Sequence, residues 1–213
     1  MPLTLYFHPL SSYCHKVLIA LYEAGVPFAP RLVDLGNAQD AAAFKAIWPL
    51  GKFPVLDDGG RIVPESTTII EYLAARHPTA ALIPRDEAAA FEARAADRFY
   101  DINVHNVMQA IIGDRLRPAD KKDGLGVAQA RAALRTALGI AERWMAARRF
   151  AGGDGFTIAD CAALPPLFYC ELAVMPLAPD YPALAAYLAR MRERPSYART
   201  LAEAQPYMHL VPR

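Results

Sequence analysis

Residues 51–66, GKFPVLDDGGRIVPES, form the stretch of sequence that decides the fold of the first domain. Two short apolar runs flank Asp57-Asp58-Gly59-Gly60, which predicts a β-hairpin. Pro54 has no amide proton, so a strand beside it lies at a sheet edge or starts there. A cis bond before Pro54 would turn the backbone of Phe53 outward, where an extended peptide could pair with it as an added strand. The alternative is an ordinary trans proline that enters a strand.

Patterns on both sides of this hairpin predict a small mixed sheet with helices on its faces. We expect strands at residues 3–7 and 28–33 and helices at residues 14–23, 39–48 and 66–76. This alternation of strands and helices is typical of an α/β domain. We assign it to residues 1–77, followed by a proline-containing linker at residues 78–85.

Residues 86–213 show only helical spacing, which predicts an all-helical bundle domain. We interpret the apolar stripes as core: Phe91, Ala95, Phe99 and Ile102; Leu134, Leu138, Ala141 and Met145; Leu184, Leu188 and Met191. The sequence FTIAD at residues 156–160 predicts a helix start at Thr157. Asp160 there completes a capping box in the place usually taken by Glu or Gln, which is a structural role.

The composition limits the functional classes. Of 213 residues, 54% are apolar and 21% are charged, which excludes intrinsic disorder. The net charge of +1, from 23 basic and 22 acidic residues, argues against a nucleic-acid-binding protein. The 3 cysteines form no C-x-x-C pair, so no disulfide framework or structural zinc site is expected. Without a signal peptide or a membrane-spanning run, we expect a soluble, cytoplasmic protein with no membrane partner and no metal.

The turn HPLSSYC at residues 8–14 joins the first strand to the first helix and holds the first candidate catalytic residues. Amide groups at a helix N-terminus favour a thiolate or another anion. Ser11 and Ser12 are natural caps, and for each hydroxyl helix capping is the alternative to ligand binding. Two interpretations stay open for Cys14, a thiol with a lowered pKa or an inert apolar residue.

Glu65 and Ser66 precede the third predicted helix and form a second candidate group. The helix N-terminus there could receive a carboxylate, and Glu65 could receive an amine. The alternative is an ordinary helix that Ser66 caps.

Together and in this order, these segments resemble the cytosolic glutathione transferases. The first half is similar to their thioredoxin-like domain and the second half to their helical C-terminal domain, so the resemblance covers essentially the whole chain. It is carried by SSYCHKV at 11–17, GKFPVL at 51–56, Glu65-Ser66, IIEYL at 69–73, and FTIAD at 156–160.

The resemblance implies that glutathione is the co-substrate and that it binds the first domain. Phe53 would pair its backbone with the cysteinyl part of glutathione beside a cis Pro54. Glu65 and Ser66 would receive the γ-glutamyl amine and carboxylate. Lys52 would lie near the glycine carboxylate.

The group that faces the sulfur distinguishes classes of this family. Phe7 falls where the tyrosine classes have tyrosine, and it has no hydroxyl. The position of the catalytic cysteine in other classes falls at Ser11, so the chain is similar to the serine-type theta and zeta classes. Ser11 is therefore the predicted catalytic residue, and Ser12 is the second candidate if the turn is shifted by one residue. Tyr13 stands where zeta isomerases have cysteine.

The implied activity is glutathione transfer to a small hydrophobic electrophile, as in detoxification. We place the electrophile site in the second domain, with Tyr100, His105 and Met108 as candidates and core packing as the alternative for each. Two other functions stay open: a glutathione-dependent oxidoreductase, peroxidase or isomerase, and a non-catalytic regulatory or scaffold protein. The family is typically homodimeric, with the first domain of one subunit against the second domain of the other.

Overall fold

The computed structural model describes residues 3–77 and 82–212. The first domain contains strands β1 (Leu3–Phe7), β2 (Phe28–Leu32), β3 (Val55–Asp58) and β4 (Arg61–Pro64), with helices α1 (Ser12–Ala24), α2 (Ala38–Ile47) and α3 (Ser66–Arg76). The sheet order is β2-β1-β3-β4. Strand β1 runs parallel to β2 and antiparallel to β3, and β4 is antiparallel to β3. The predicted α/β class with a small mixed sheet is confirmed.

Local sequence explains the limits of α1 and of the hairpin. Helix α1 ends at Gly25, whose φ of 61° lies in the left-handed region that glycine adopts without a side-chain clash. Gly59 and Gly60 have φ of 61° and 98°, as the tight turn between β3 and β4 requires. Residues 17–21 of α1 are fully buried, because α1 lies between the first domain and α7 of the second domain.

The second domain contains helices α4 (Glu87–Phe99), α5 (Asn106–Arg115), α6 (Gly124–Ala147), α7 (Ile158–Ala173), α8 (Pro182–Arg192) and α9 (Pro195–Ala204). A π-helical turn, Tyr100–His105, joins α4 to α5, and short 3₁₀ turns occupy Ala119–Lys121 and Gln205–Leu210. The predicted all-helical character is confirmed. Of the predicted linker, residues 78–81 lie outside the described residues, and Leu82 is buried and accepts the amide of Ile158.

Two of the predicted core stripes are confirmed, and the stripe on α4 is wrong. Leu134 and Leu188, with the rest of their stripes, are buried. By contrast, Phe91 is 69% exposed and Ile102 is 46% exposed. The buried face of α4 carries Ala90, Ala93 and Ala96, which allow the helix to approach α7 closely while Phe91 points outward. Phe99 of the same stripe is half-buried and packs against the core.

The capping box at the N-terminus of α7 is confirmed. Thr157 is the N-cap residue, and the carboxylate of Asp160 accepts the Thr157 amide at 2.9 Å. The other carboxylate oxygen accepts the amide of Ala151 at 2.9 Å and the hydroxyl of Tyr187 at 2.7 Å. Burial raises the pKa of Asp160 to about 6. Its contacts lie within the core, as a structural role requires.

Candidate active site

A cavity of about 380 Å³ lies between the first domain and the long helix from α4 to α5. Its walls contain every residue that the sequence assigned to glutathione: Lys52, Phe53, Pro54, Glu65 and Ser66. The other wall residues are Tyr13, Thr67, Thr68, Arg98, Asp101 and Asn106. The cavity is therefore an interdomain site with cationic, anionic and hydroxyl groups, as a zwitterionic peptide ligand would need.

The floor of the cavity is formed where the chain enters β3. The Phe53–Pro54 peptide bond is cis, as the resemblance implies. Pro54 is buried, and the half-buried ring of Phe53 stacks with the His8 ring at 6.2 Å between centroids. Lys52 is exposed, so its ammonium is available to a carboxylate at this end of the cavity.

The N-terminus of α3 opens toward the cavity without a side-chain cap. The N-cap residue is Glu65 and not Ser66, so the expectation that Ser66 caps this helix is wrong. Glu65 has a φ of 69°, a conformation that costs a non-glycine residue about 1–3 kcal/mol. Its side chain is exposed in the cavity, whereas Ser66 is buried as the first residue of the helix. Such strain in a cavity wall is typical of ligand-binding positions.

The turn before α1 is fixed by two buried side chains. His15 bonds the carbonyl of Pro9 through Nε2 at 2.6 Å, and the Tyr169 hydroxyl of α7 donates to the carbonyl of Leu10 at 2.8 Å. Burial lowers the pKa of His15 to about 4, which keeps the imidazole neutral. These contacts position Ser11, whose hydroxyl oxygen caps α1 by accepting the amide of Cys14 at 3.2 Å. Ser11 is half-buried and is not among the residues that line the cavity, although Tyr13, two residues along the chain, is.

Ser12, the second predicted catalytic residue, faces the domain interface. Its side-chain oxygen lies 2.6 Å from Nε2 of His105 and accepts the amide of Gln109 at 2.8 Å. The residue is 2% exposed and does not line the cavity. Its hydroxyl is thus engaged by the second domain, through His105 and Gln109.

Cys14 is fully buried, and burial raises the pKa of its thiol to about 12. Of the two interpretations of this residue, the buried geometry favours the inert apolar one. Cys161 and Cys170 are buried free thiols as well.

A buried polar cluster beside the cavity was missed by the sequence analysis. The ammonium of Lys16 lies 2.6 Å from Asp97, 2.7 Å from Asp101 and 2.7 Å from the hydroxyl of Thr67. Thr67 donates onward to Asp97 and Asp101, and Asp101 lines the cavity. Desolvation raises the pKa of Asp97. The available signals were a lysine within the apolar run of α1 and two aspartates four residues apart on an alanine-rich helix.

The predicted electrophile-site residues do not line the cavity. Tyr100 and Met108 are in the hydrophobic core, and His105 is fully buried against Ser12 and Tyr13. Core packing, the alternative kept for each, describes their positions. The helix that carries them does face the cavity, but these three residues lie on its buried face, and the cavity is lined by Arg98, Asp101 and Asn106.

Two properties of the described residues bear on wider functional classes. Within residues 3–77 and 82–212, no group of three or more His, Cys, Asp and Glu side chains could hold a metal ion. In the same part of the chain, every helix is too short or too polar to cross a membrane.

Known proteins are similar to this chain in both fold and sequence. Residues 5–81 match the model of the glutathione S-transferase N-terminal domain, and residues 105–195 match that of the C-terminal domain. The maleylpyruvate isomerase of Ralstonia sp. is 30% identical over 92% of this chain and 95% of its own length. A probable maleylacetoacetate isomerase of Caenorhabditis elegans is 29% identical over 95% of this chain and 94% of its own. The crystal structure of a glutathione S-transferase from Methylobacillus flagellatus with glutathione bound superimposes with a TM-score of 0.85, at 28% identity, over 93% of this chain and 98% of that one.

A thioredoxin-like domain joined to a helical domain, with a charged cavity between them, defines a glutathione-transferase fold. The matches extend this likeness to sequence over nearly the full chain, and the chain belongs to the cytosolic glutathione S-transferase family.

Proposed function

We propose that the protein is a glutathione-dependent enzyme, and specifically a glutathione transferase that activates the thiol of glutathione for attack on a small hydrophobic electrophile. The observation that carries this proposal is the cavity that unites Lys52, the cis Phe53–Pro54 bond, Glu65 and Ser66. In this proposal Glu65 receives the γ-glutamyl amine, the N-terminus of α3 receives its carboxylate and Lys52 receives the glycine carboxylate.

Ser11 is the proposed partner of the sulfur. A serine hydroxyl has one proton and two lone pairs. Capping of α1 through the oxygen therefore leaves the proton of Ser11 free to donate to a thiolate. A free thiol is only about 3% ionised at pH 7, so a donor beside a helix N-terminus raises the reactive fraction. The buried thiol of Cys14, with its raised pKa, supports a mechanism without a protein thiolate.

The electrophile needs an apolar surface near the sulfur. Rings of Phe53, His8 and Tyr207 form a chain that starts at Phe53 in the cavity wall, with His8 stacked on Phe53 and edge-on to Tyr207 at 5.2 Å. Tyr207 itself lines a separate cavity. We assign the electrophile to this surface in place of Tyr100, His105 and Met108. Replacing Tyr207 with Ala is expected to raise KM for the electrophile and leave KM for glutathione unchanged.

The test of the main proposal combines binding with kinetics. The wild-type protein is expected to bind glutathione by titration calorimetry and to conjugate a chloronitrobenzene. Ser11→Ala is expected to keep glutathione affinity, lower kcat and raise the kinetic pKa of bound glutathione. Absence of glutathione binding refutes the proposal, and an unchanged pH–rate profile refutes the role of Ser11.

A second candidate activity is glutathione-dependent cis–trans isomerisation. The relatives from Ralstonia and C. elegans are named as isomerases of this kind, and Arg98 adds a cation to a cavity that already contains Lys52. An assay with an unsaturated dicarboxylate beside the electrophile panel separates the two activities. Turnover of the dicarboxylate without turnover of any electrophile would show that the activity is isomerisation and not transfer.

The proposal includes a homodimer in a cytoplasmic setting. Exposed Phe91 on α4, exposed Ile102 on the π-helical turn after it, and exposed Leu50 in the first domain supply apolar surface to both halves of such an interface. Phe91→Glu is expected to convert a dimer to a monomer in light scattering, whereas a monomeric wild-type protein contradicts this part of the proposal.

A further inference from the structure

Tyr13 lines the cavity, although the sequence predicted no role for it in ligand binding. Its side chain lines the interdomain cavity together with Glu65 and Ser66. Its hydroxyl donates to the side-chain oxygen of Asn106 at 2.5 Å, and Asn106 lines the same cavity from the second domain. This hydrogen bond therefore ties the first domain to the second at the site itself.

The ring of Tyr13 is held from behind by His105. The two rings are stacked 3.7 Å apart between centroids and lie 13° from parallel. His105 is fully buried, and burial with the nearby charge of Lys16 keeps its pKa well below the ordinary value, so the imidazole is neutral. Tyr13 thus rests on a flat, uncharged aromatic surface.

The orientation of His105 is in turn held by a hydrogen bond between Nε2 and Ser12. Gln109 donates to the hydroxyl oxygen of Ser12, which leaves the Ser12 proton for Nε2 of His105 at 2.6 Å. Nδ1 then carries the imidazole proton and faces a carboxylate oxygen of Asp101 at 3.9 Å. This separation is too long for a hydrogen bond, and neither buried atom has a hydrogen-bond partner among the described residues. Ser12 therefore holds one edge of the His105 ring.

We propose that Tyr13 is a glutathione-binding residue that determines affinity for the γ-glutamyl–cysteinyl part of the ligand, and that His105 is its positioning residue. The ring forms a wall against the peptide, and the bond to Asn106 fixes that wall before the ligand arrives. This inference rests on the proposed function, because it assumes glutathione in this cavity. A preorganised wall contacts glutathione equally in the ground state and the transition state, so its loss raises KM and leaves kcat unchanged.

A double-mutant cycle tests the contribution of Tyr13 and of its hydrogen bond to Asn106. Tyr13→Phe and Asn106→Ala are each expected to weaken glutathione binding by about threefold, and the double variant by no more than either single variant, because both remove the same hydrogen bond. Tyr72→Phe is the matched control, since it removes a tyrosine–carboxylate bond to Asp58 outside the cavity. Additive losses of affinity in the double variant, or losses equal to that of Tyr72→Phe, contradict the proposed role of the hydrogen bond between Tyr13 and Asn106.

A second pair of variants tests the positioning role. His105→Phe keeps the aromatic surface and loses the bond to Ser12, whereas His105→Leu loses both. We expect His105→Phe to retain glutathione affinity within about twofold and His105→Leu to lose about three- to tenfold, with kcat unchanged in both. Equal losses of glutathione affinity in the two variants contradict a positioning role for the His105 ring that stacks on Tyr13. If wild-type protein binds glutathione and these patterns fail, only this inference falls; if wild-type protein does not bind, the proposed function falls with it.

Discussion

At the N-terminus of α7, the amide groups are bonded within the protein: Thr157 and Asp160 form a capping box, and the same buried carboxylate accepts Ala151 and Tyr187. At the N-terminus of α3, Glu65 gives no side-chain cap, holds a φ of 69° and faces a cavity. Both helices begin after a polar residue, yet only one end satisfies its own donors. The difference separates a helix start that is satisfied within the fold from one whose amide groups stay available to the glutathione proposed for this cavity.

The largest expected effect tests the closed end. Asp160→Ala leaves buried donors on Ala151, Thr157 and Tyr187 without an acceptor, so the free energy of unfolding in urea should fall by about 4 kcal/mol. Asp154→Ala, in the exposed loop before the helix, is the matched control. Glutathione affinity of the folded fraction should stay unchanged. A loss below about 1 kcal/mol would contradict the structural role of Asp160.

A pH titration tests the support of the third helix end, that of α1. The pKa of His15 is lowered to about 4 by burial, whereas the unfolded chain has a value of about 6.5. The stabilising contribution is therefore complete above about pH 6.5 and is lost as pH falls toward 4, by about 3 kcal/mol in total.

His15→Gln should flatten this part of the stability–pH profile measured by urea unfolding. His209→Gln, at an exposed histidine, should leave it unchanged. Parallel profiles for wild type and His15→Gln would show that His15 is not buried as a neutral group.

A third variant tests the open end. Glu65→Ala removes the proposed partner of the γ-glutamyl amine, and loss of one charge-assisted hydrogen bond should weaken glutathione binding roughly tenfold to a hundredfold. The unfolding free energy should change by less than about 0.5 kcal/mol, since the side chain is exposed. Glu193→Ala is the control for an exposed glutamate outside the cavity. A loss of stability without a loss of glutathione affinity would show that Glu65 stabilises the start of α3, as Asp160 does for α7, and does not bind the ligand.

The smallest effect concerns the cap of α7. Thr157→Ala should lower the unfolding free energy by about 1 kcal/mol, and Thr157→Ser should retain it, because only the hydroxyl acts as the cap. Calorimetric melting temperatures of the two variants provide the measurement. Equal melting temperatures would assign the stability of this helix end to Asp160 alone.

Local signals carried much of the fold. The order of strands and helices, the hairpin at Gly59-Gly60 and the box at Thr157 follow from turn chemistry and periodicity within short windows. The outward face of α4 did not follow, because a window that weights large apolar residues selects Phe91, whereas close helix packing selects the alanines. Periodicity alone cannot distinguish a large residue in a core from one on an exposed face.

The candidate site divides in the same way. The segments Lys52–Pro54 and Glu65–Ser66, to which we assign glutathione, are each contiguous in sequence, so the family resemblance identifies them directly. The contacts between Ser12 and His105 and between Lys16 and Asp101 join residues far apart in sequence, and no spacing rule connects them. That Glu65 and not Ser66 is the N-cap residue of α3 also depends on the positive φ of Glu65, which the sequence does not specify.

The buried cluster of Lys16, Asp97 and Asp101 has a consequence for how this chain can vary over evolution. Replacing Lys16 with an apolar residue leaves two buried carboxylates without their cation, at a cost of about 3–5 kcal/mol, whereas replacing one aspartate leaves Lys16 paired with the other. That loss is a large part of the stability of a typical domain. A route of change that begins at Lys16 crosses this deficit, whereas one that begins at Asp97 keeps the pair of Lys16 with Asp101. The two domains therefore constrain each other's sequence at this junction: the helical domain can lose one aspartate, but Lys16 of the first domain can change only after the helical domain has changed.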